Sequence, residues 1–160
     1  MIRSLEELVE RGRRLGPARI VVVEAHDPDV LECLAQAEPM GLAEAVLVGD
    51  PGKIEATASK VGYRLRPESL VQTASEEASI RQAIDLVREG KANVLMKGKV
   101  TTANLIRGIL VKERGLRTGN LLSQVIVFQV PHIPRLMVMT DGAINIAPTL
   151  PQKADICRNA

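Results

Sequence analysis

Arg19-Ile20-Val21-Val22-Val23-Glu24, followed closely by Asp27-Pro28, decides the fold. The first run is apolar and β-branched without interruption, the pattern of a strand covered on both faces and therefore of a parallel sheet with helices on either side. Asp27 then offers an N-cap and Pro28 a first-turn proline, so a helix is expected through Val30, Leu31, Leu34 and Ala35, ending near Pro39-Met40-Gly41. Working outward, the same unit recurs. Ala45-Val46-Leu47-Val48 reads as a strand, and Gly49-Asp50-Pro51 leads into a helix through Ile54, Ala58 and Val61. Leu70-Val71 makes a short strand. Ser75-Glu76-Glu77-Ala78 opens a helix through Ile80, Ala83, Ile84 and Val87, closed by Gly90. Asn93-Val94-Leu95-Met96 is the next strand, and Thr101 or Thr102 caps a helix through Leu105, Ile106, Ile109 and Leu110, closed by Gly115. Upstream, Ser4-Leu5-Glu6-Glu7 is a capping box for a helix that Gly16-Pro17 stops.

Beyond Gly115 the pattern changes. Leu122 to Val130 and Leu136 to Met139 are two apolar runs joined by Pro131-His132-Ile133-Pro134-Arg135, a link short enough to favour an antiparallel hairpin. The expected fold is thus α/β over residues 1–160, one domain with a mainly parallel sheet flanked by helices and a late antiparallel hairpin. Thr149-Leu150-Pro151-Gln152 is a second capping box. The helix it starts, over 149–160, carries no Gly, Pro or basic last turn to end it, as in an element that is interrupted.

Composition narrows the function. Tyr63 and Phe128 are the only aromatics, so the core is aliphatic, and the base-stacking platforms of single-strand recognition are lacking. No nucleic-acid partner is expected. The net charge of +2 is unevenly placed: residues 81–120 hold nine Lys/Arg against three acids, a net +6, and the remainder is −4. Such a focused positive field suits a small anion. Arg81, Arg88, Lys91, Lys112 and Arg114 read as solvated helix residues. Cys33 and Cys157 form no spacing motif; Cys33 reads as a small core residue. With two cysteines, no apolar signal region and no bilayer-length apolar run, a reduced, cytoplasmic protein without a membrane partner is expected.

The chemistry concentrates in Met96-Lys97-Gly98-Lys99-Val100-Thr101-Thr102-Ala103. Where a buried strand gives way to a helix, backbone N–H groups are free and the helix dipole favours an anion. Thr101 and Thr102 can bind a phosphoryl group there or simply cap the helix. Gly98 permits close backbone approach to a ligand or marks a plain turn. Lys97 can neutralise phosphate charge or sit solvated. Arg107 has a planar fork suited to phosphate or a developing oxyanion, and a side chain long enough to reach back along the helix. Ser123 and Asn145 flank apolar strands, where each is a cleft residue or a strand-edge polar group. Asp141 reads as a turn or orienting residue rather than a base. His26 and His132 fall in loops, away from any Cys or carboxylate set of a metal site, and no metal is expected. A dehydrogenase is disfavoured because no G-x-G-x-x-G follows a strand.

From Arg19 onward the chain resembles the N-terminal half of the phosphate acetyltransferase/phosphate butyryltransferase family. The matching blocks are Ala45-Val46-Leu47-Val48-Gly49-Asp50, Leu95-Met96-Lys97-Gly98 with Thr102-Ala103, Gly115-Leu116-Arg117-Thr118-Gly119, Leu121-Leu122-Ser123, and Asp141-Gly142-Ala143-Ile144-Asn145-Ile146-Ala147-Pro148. Lys97-Gly98 and Leu121-Leu122-Ser123 are closer to the butyryl branch. Gln124, where that branch usually has His, and Gly142, where Ala or Cys is commoner, depart from it. The resemblance implies an isocitrate/isopropylmalate dehydrogenase-like domain, incomplete here, and the first of two domains with a cleft between them. It further implies acyl transfer between CoA and orthophosphate, with CoA or acyl-CoA as a substrate rather than a tightly bound cofactor. Arg107 becomes the catalytic candidate, and Lys97, Gly98, Thr101, Thr102, Ser123 and Asn145 the substrate-binding ones. The family's C-terminal Ser-Arg pair and Asp have no counterpart in these residues, so weak or absent activity alone is expected, and a homo-oligomer or a complement carrying the other half. The competing reading is a non-catalytic anion- or nucleotide-binding domain, or one subunit of a split acyltransferase.

Overall fold

The computed structural model describes residues 2–160, which divide into two compact units, one of residues 12–117 and one of residues up to 11 together with 118–160. A first helix, α1 (Leu5–Leu15), has no buried residue; Ser4 Oγ accepts the Glu7 N–H at its start.

The 12–117 unit holds four parallel strands, β1 (Ala18–Val23), β2 (Ala43–Gly49), β3 (Leu70–Gln72) and β4 (Val94–Lys97), in the order β3-β2-β1-β4. Between them come α2 (Pro28–Ala37), α3 (Pro51–Val61), a single 3-10 turn (Pro67–Ser69) and α4 (Glu76–Arg88), with α5 (Thr102–Ile109) after β4. Period-two alternation sends Val22, Ala43, Ala45 and Leu47 to one face, against Leu31 and Leu34 of α2 and Ile54 of α3. Val21, Val23 and Val48 go to the other, against Ile80 and Ile84 of α4 and Leu105 of α5. The valine run of β1 is fully buried because it serves both cores.

The caps read from the sequence are in place. Asp27, Asp50, Ser75 and Thr101 each accept an N–H from the first turn of α2, α3, α4 and α5. The α5 helix is shorter than the apolar pattern suggests, ending at Ile109. Gly115 allows the chain to fold back so that the Leu116 N–H reaches the Ile109 carbonyl at 2.8 Å, and a Cβ at Gly115 would strike that carbonyl. Lys112 and Arg114 therefore sit in the turns after α5, exposed, rather than on a helix. Cys33 is also exposed, contrary to its reading as a core residue: the buried stripe of α2 is Val30, Leu31 and Leu34, and Cys33 falls off it. On the side where the strands begin, Glu38 ties several elements together. Its carboxylate accepts from the Ala45 N–H (3.1 Å), the Arg66 guanidinium (3.0 Å) and the Tyr63 hydroxyl (3.3 Å). Burial first, and the Glu38 charge second, push the Tyr63 phenol up to about 12.

The other unit holds the antiparallel hairpin β5 (Val125–Gln129) and β6 (Leu136–Thr140), in a register that pairs Val127 with Val138. The first strand is shorter than the apolar run: Gln124 still accepts the Asp141 N–H beside β6, while Leu122 and Ser123 accept from Asn145 and Asn159 instead. The last helix, α6 (Leu150–Asn159), starts with Gln152 Oε1 accepting from the Thr149 N–H (2.8 Å) and hydroxyl (3.1 Å), buries Ile156, and carries Arg158 in its last turn, contrary to the expectation that no basic residue closes it. No helix among the described residues is long and apolar enough to cross a membrane.

Candidate functional site

The order β3-β2-β1-β4 places a topological switch point between β1 and β4: the chain winds outward through β2 and β3, then returns across β1. In open parallel sheets ligands bind beyond the C-terminal strand ends at such a point. Here the two strand exits are bonded to each other, the Gly98 N–H to the Val23 carbonyl (2.9 Å) and the Lys99 N–H to the Glu24 carbonyl (2.7 Å). Gly98 is buried and lies directly on the β1 backbone; a Cβ there would lie 2.6 Å from the Val23 oxygen and closer still to that of Glu24. The close approach that this glycine permits is thus to β1.

Past Gly98 the chain turns into α5. The Lys97 ammonium donates to the carbonyls of Gly98 (3.0 Å) and Val100 (3.1 Å), which pins the loop under its own strand's last residue. Thr101 is the N-cap, its hydroxyl accepting the Asn104 N–H at 3.2 Å. The N–H groups of Thr102 and Ala103 have no partner among the described residues, and with the helix dipole they form the anion-attracting end of α5. Lys99 and Thr102 are exposed beside them. Arg107 lies in the last turn of this eight-residue helix, and its guanidinium reaches back one turn to Asn104 Oδ1 (3.1 Å). Asn104 in turn donates to Glu76 Oε1 (2.6 Å) at the start of α4. Lys97, Gly98, Thr101, Thr102 and Arg107 therefore belong to one continuous loop-and-helix segment.

Ser123 and Asn145 belong to the other unit and are joined there by a hydrogen-bonded knot. The Asp141 backbone adopts a positive φ of 51°, which swings its carboxylate over the following turn to accept from the Ile144 N–H (2.9 Å), the Asn145 N–H and the Asn145 side-chain amide. The Asn145 amide foremost, then the backbone N–H groups, hold the Asp141 carboxyl below the usual carboxylate range. The same amide reaches the Leu122 carbonyl (3.0 Å), and Asn159 donates to the Leu121 carbonyl and to Ser123 Oγ, both at 2.8 Å. Asp141 thus shapes a turn and orients Asn145.

One cluster near the switch point was not singled out from sequence. Glu24 follows β1 with a positive φ of 52° and is buried, its carboxylate accepting from the fully buried Ser79 hydroxyl of α4. Ser79 Oγ also meets Thr73 Oγ1 at 2.6 Å. His26 Nδ1 lies 3.4 Å from the second Glu24 oxygen, without the alignment of a hydrogen bond. A buried carboxylate needs such partners, because an unpaired one is expensive. The only signals in the sequence were an acid closing an apolar strand and a serine on the buried stripe of α4.

The fold and this strand-to-helix segment define a parallel α/β protein whose α5 opens with free N–H groups at the C-terminal edge of the sheet. Residues 66–160 match the phosphate acetyl/butaryl transferase family, and the chain belongs to it. It is 38% identical over 160 residues to the phosphate butyryltransferase of Clostridium acetobutylicum, an alignment covering 100% of this chain and 53% of that protein. It is 34% identical over 152 residues to the phosphate acetyltransferase of Thermotoga maritima, covering 95% and 51%. Among solved structures, a branched-chain phosphotransacylase from Enterococcus faecalis V583 superposes with a TM-score of 0.70 at 25% identity, over 89% of this chain and 49% of that one. A phosphotransacetylase from Streptococcus pyogenes shares the fold, with a TM-score of 0.75 at 20% identity over 96% and 56%. The chain spans about half the length of the relatives it matches.

Proposed function

We propose that this chain carries phosphate-binding elements of a cytoplasmic phosphate acyltransferase, resembling the butyryl branch, that moves a short acyl group between CoA and orthophosphate. The observation that carries the reading is the α5 start: unpartnered N–H groups at Thr102 and Ala103, flanked by Lys99 and backed by Arg107, at the C-terminal edge of a parallel sheet. Such an arrangement holds a phosphoryl group by backbone donors and cations together. Lys97 and Gly98 set the loop, Thr101 and Thr102 begin the helix, and Arg107 offsets charge on the transferring group. In the 118–160 unit, Ser123 and Asn145 are the substrate-binding candidates that the family resemblance supplies. In the reaction a CoA thiolate attacks the acyl phosphate carbonyl carbon. The C–S bond forms, the bond from that carbon to the bridging oxygen breaks, and orthophosphate leaves with the electron pair, its P–O bonds intact; the reverse direction uses the same contacts. Positioning and charge stabilisation suffice, without a covalent enzyme intermediate or a bound cofactor. Two-fold self-association, as the commonest closed assembly, is part of the proposal and is read by sedimentation across a concentration series.

The test is a backbone amide titration with inorganic phosphate, in which residues 98–103 should shift saturably. If they stay unmoved at saturating phosphate, the anion site is refuted. A thiol-release assay with butyryl or acetyl phosphate separates the two functional readings. Turnover of roughly 1–1000 per second would show that these residues suffice for catalysis. Phosphate binding without turnover favours an anion-binding domain or one subunit of a split enzyme.

A further inference from the structure

Two consecutive carbonyls at the end of β1, those of Val23 and Glu24, both receive N–H groups from the loop that leads to α5, Gly98 at 2.9 Å and Lys99 at 2.7 Å. A regular strand does not do this, because successive carbonyls of an extended chain point to opposite edges. The two peptide planes meet at residue 24, so the backbone angles of Glu24 set how they lie relative to each other. Its φ of 52° brings the second carbonyl to the same side as the first. The N–H of that same second peptide, on Ala25, points the other way and reaches the Val48 carbonyl of β2 at 3.1 Å. A positive φ is uncommon outside glycine and persists where the surroundings impose it.

We propose that Glu24 is a positioning residue for the phosphate-binding loop: its anchored carboxylate holds residue 24 left-handed and so fixes where Lys99 and the start of α5 lie. The inference rests on the function proposed above. Three observations carry it. The side chain is anchored from α4, where the fully buried Ser79 hydroxyl donates to one carboxylate oxygen and Thr73 Oγ1 braces Ser79 Oγ at 2.6 Å. His26 Nδ1, ahead of α2, faces the other carboxylate oxygen at 3.4 Å, so the group is held between two elements. The backbone of the same residue is enclosed as well. Gly98 has no room for a Cβ against the Glu24 carbonyl, and a Cβ at Gly49 would lie 3.5 Å from Glu24 Cα. Finally, the Lys99 bond is, among the described residues, the last backbone bond from the sheet to the loop before the free Thr102 and Ala103 N–H groups. Movement at Glu24 therefore passes directly to the donors that meet the anion.

The experiment titrates inorganic phosphate into the 160-residue chain, followed by backbone amide shifts, for the wild type, Glu24→Ala, Glu24→Gln, Ser79→Ala and Glu38→Ala. Before phosphate is added, the Lys99 amide should shift and exchange faster in Glu24→Ala and Ser79→Ala. It should keep its wild-type position in Glu24→Gln, whose amide oxygen still accepts from Ser79. With the loop less often in its binding geometry, phosphate affinity in Glu24→Ala and Ser79→Ala should fall on the order of fivefold, the worth of about one net hydrogen bond. Glu24→Gln should recover it. Glu38→Ala controls for stability alone: it removes hydrogen bonds from Ala45, Tyr63 and Arg66 where the strands begin, so the unfolding midpoint should fall with phosphate affinity unchanged. Ser79→Ala takes away a single oxygen remote from the loop and covers the case in which Glu24→Ala does not fold. A wild-type Lys99 amide and wild-type phosphate affinity in Ser79→Ala would overturn the proposal. So would a Glu24→Gln as weak as Glu24→Ala, or an equal weakening in Glu38→Ala. Failure of the wild type to bind phosphate would instead refute the function proposed above, and the Lys99 amide in the unliganded variants would still decide whether Glu24 sets the loop.

Discussion

Replacing Gly98 by alanine tests whether the switch point is a closed packing joint. An added Cβ would lie 2.6 Å from the Val23 oxygen and 2.9 Å from the Glu24 carbonyl carbon, backbone atoms of the last residue of β1 and of the buried residue that follows it. Neither can yield as a side-chain tip would, so β4 must move away from β1. Overpacking of that kind costs about 1–3 kcal/mol. The Gly98 and Lys99 N–H bonds to β1, at 2.9 and 2.7 Å, lengthen together; at about 1 kcal/mol each they add ~2 kcal/mol. Because the φ of Gly98 is not in the left-handed region, alanine also gains the usual unfolded-state benefit of about 0.4–1 kcal/mol. The net expectation is a loss of ~2–4 kcal/mol, read as a fall of about 1–2 M in the urea midpoint. Gly52→Ala is the control: it lies in the first turn of α3 and its Cβ would meet only Asp50 Oδ1 at 3.4 Å. It should be neutral or stabilising by up to ~1 kcal/mol. If Gly98→Ala unfolds at the wild-type midpoint, the close joint between β1 and β4 is refuted, and Gly98 would have to be explained by ligand approach alone.

Other expectations follow from the buried and bonded groups. Glu24→Ala removes the acceptor of the fully buried Ser79 hydroxyl and should destabilise by roughly 1–3 kcal/mol in urea unfolding; an unchanged midpoint would mean that Thr73 and Ser75 satisfy Ser79 alone. The Asp141 carboxyl is held low, so its contribution to the turn is present above the unfolded-state value and disappears as pH falls through the folded one. Asp141→Asn should therefore abolish an acid-range shift change in the Ile144 and Asn145 amides, and persistence of that change in the variant would count against the knot. Tyr63 is raised to about 12, so the stability it adds is intact below the ordinary tyrosine range and is lost as pH rises through that value. Ultraviolet phenolate titration should give a midpoint near it, and a midpoint at the ordinary value would refute the burial of Tyr63 beside Glu38.

Much of this architecture was legible because its signals are local. A β-branched run must be covered on both faces, Asp-Pro must begin a helix, and Thr before an apolar stripe must cap one; β1, α2 and α3 obey these rules within a residue or two, and α5 does so at its start. The loop from Lys97 to Thr102 was legible for the same reason, since a strand exit, a glycine and a cap lie adjacent in the chain. Distant pairings had no such trace. Nothing in the residues near Gly98 says that β1 rather than another strand lies against it, and only the order β3-β2-β1-β4 makes it a packing joint. Glu24 and Ser79 are fifty-five positions apart, yet the hydrogen bond between them follows from the crossover that lays α4 over the end of β1. Cys33 was misjudged because helical periodicity gives a stripe but not its width, and packing against the sheet set the buried edge at Leu31 and Leu34. The residue types thus determined the elements and the starts of the helices, through backbone sterics and capping chemistry, but not where α5 ends or β5 begins. Which elements face each other, and so which polar atoms are desolvated together, was decided only by tertiary packing, because burial depends on neighbours that sequence distance does not encode.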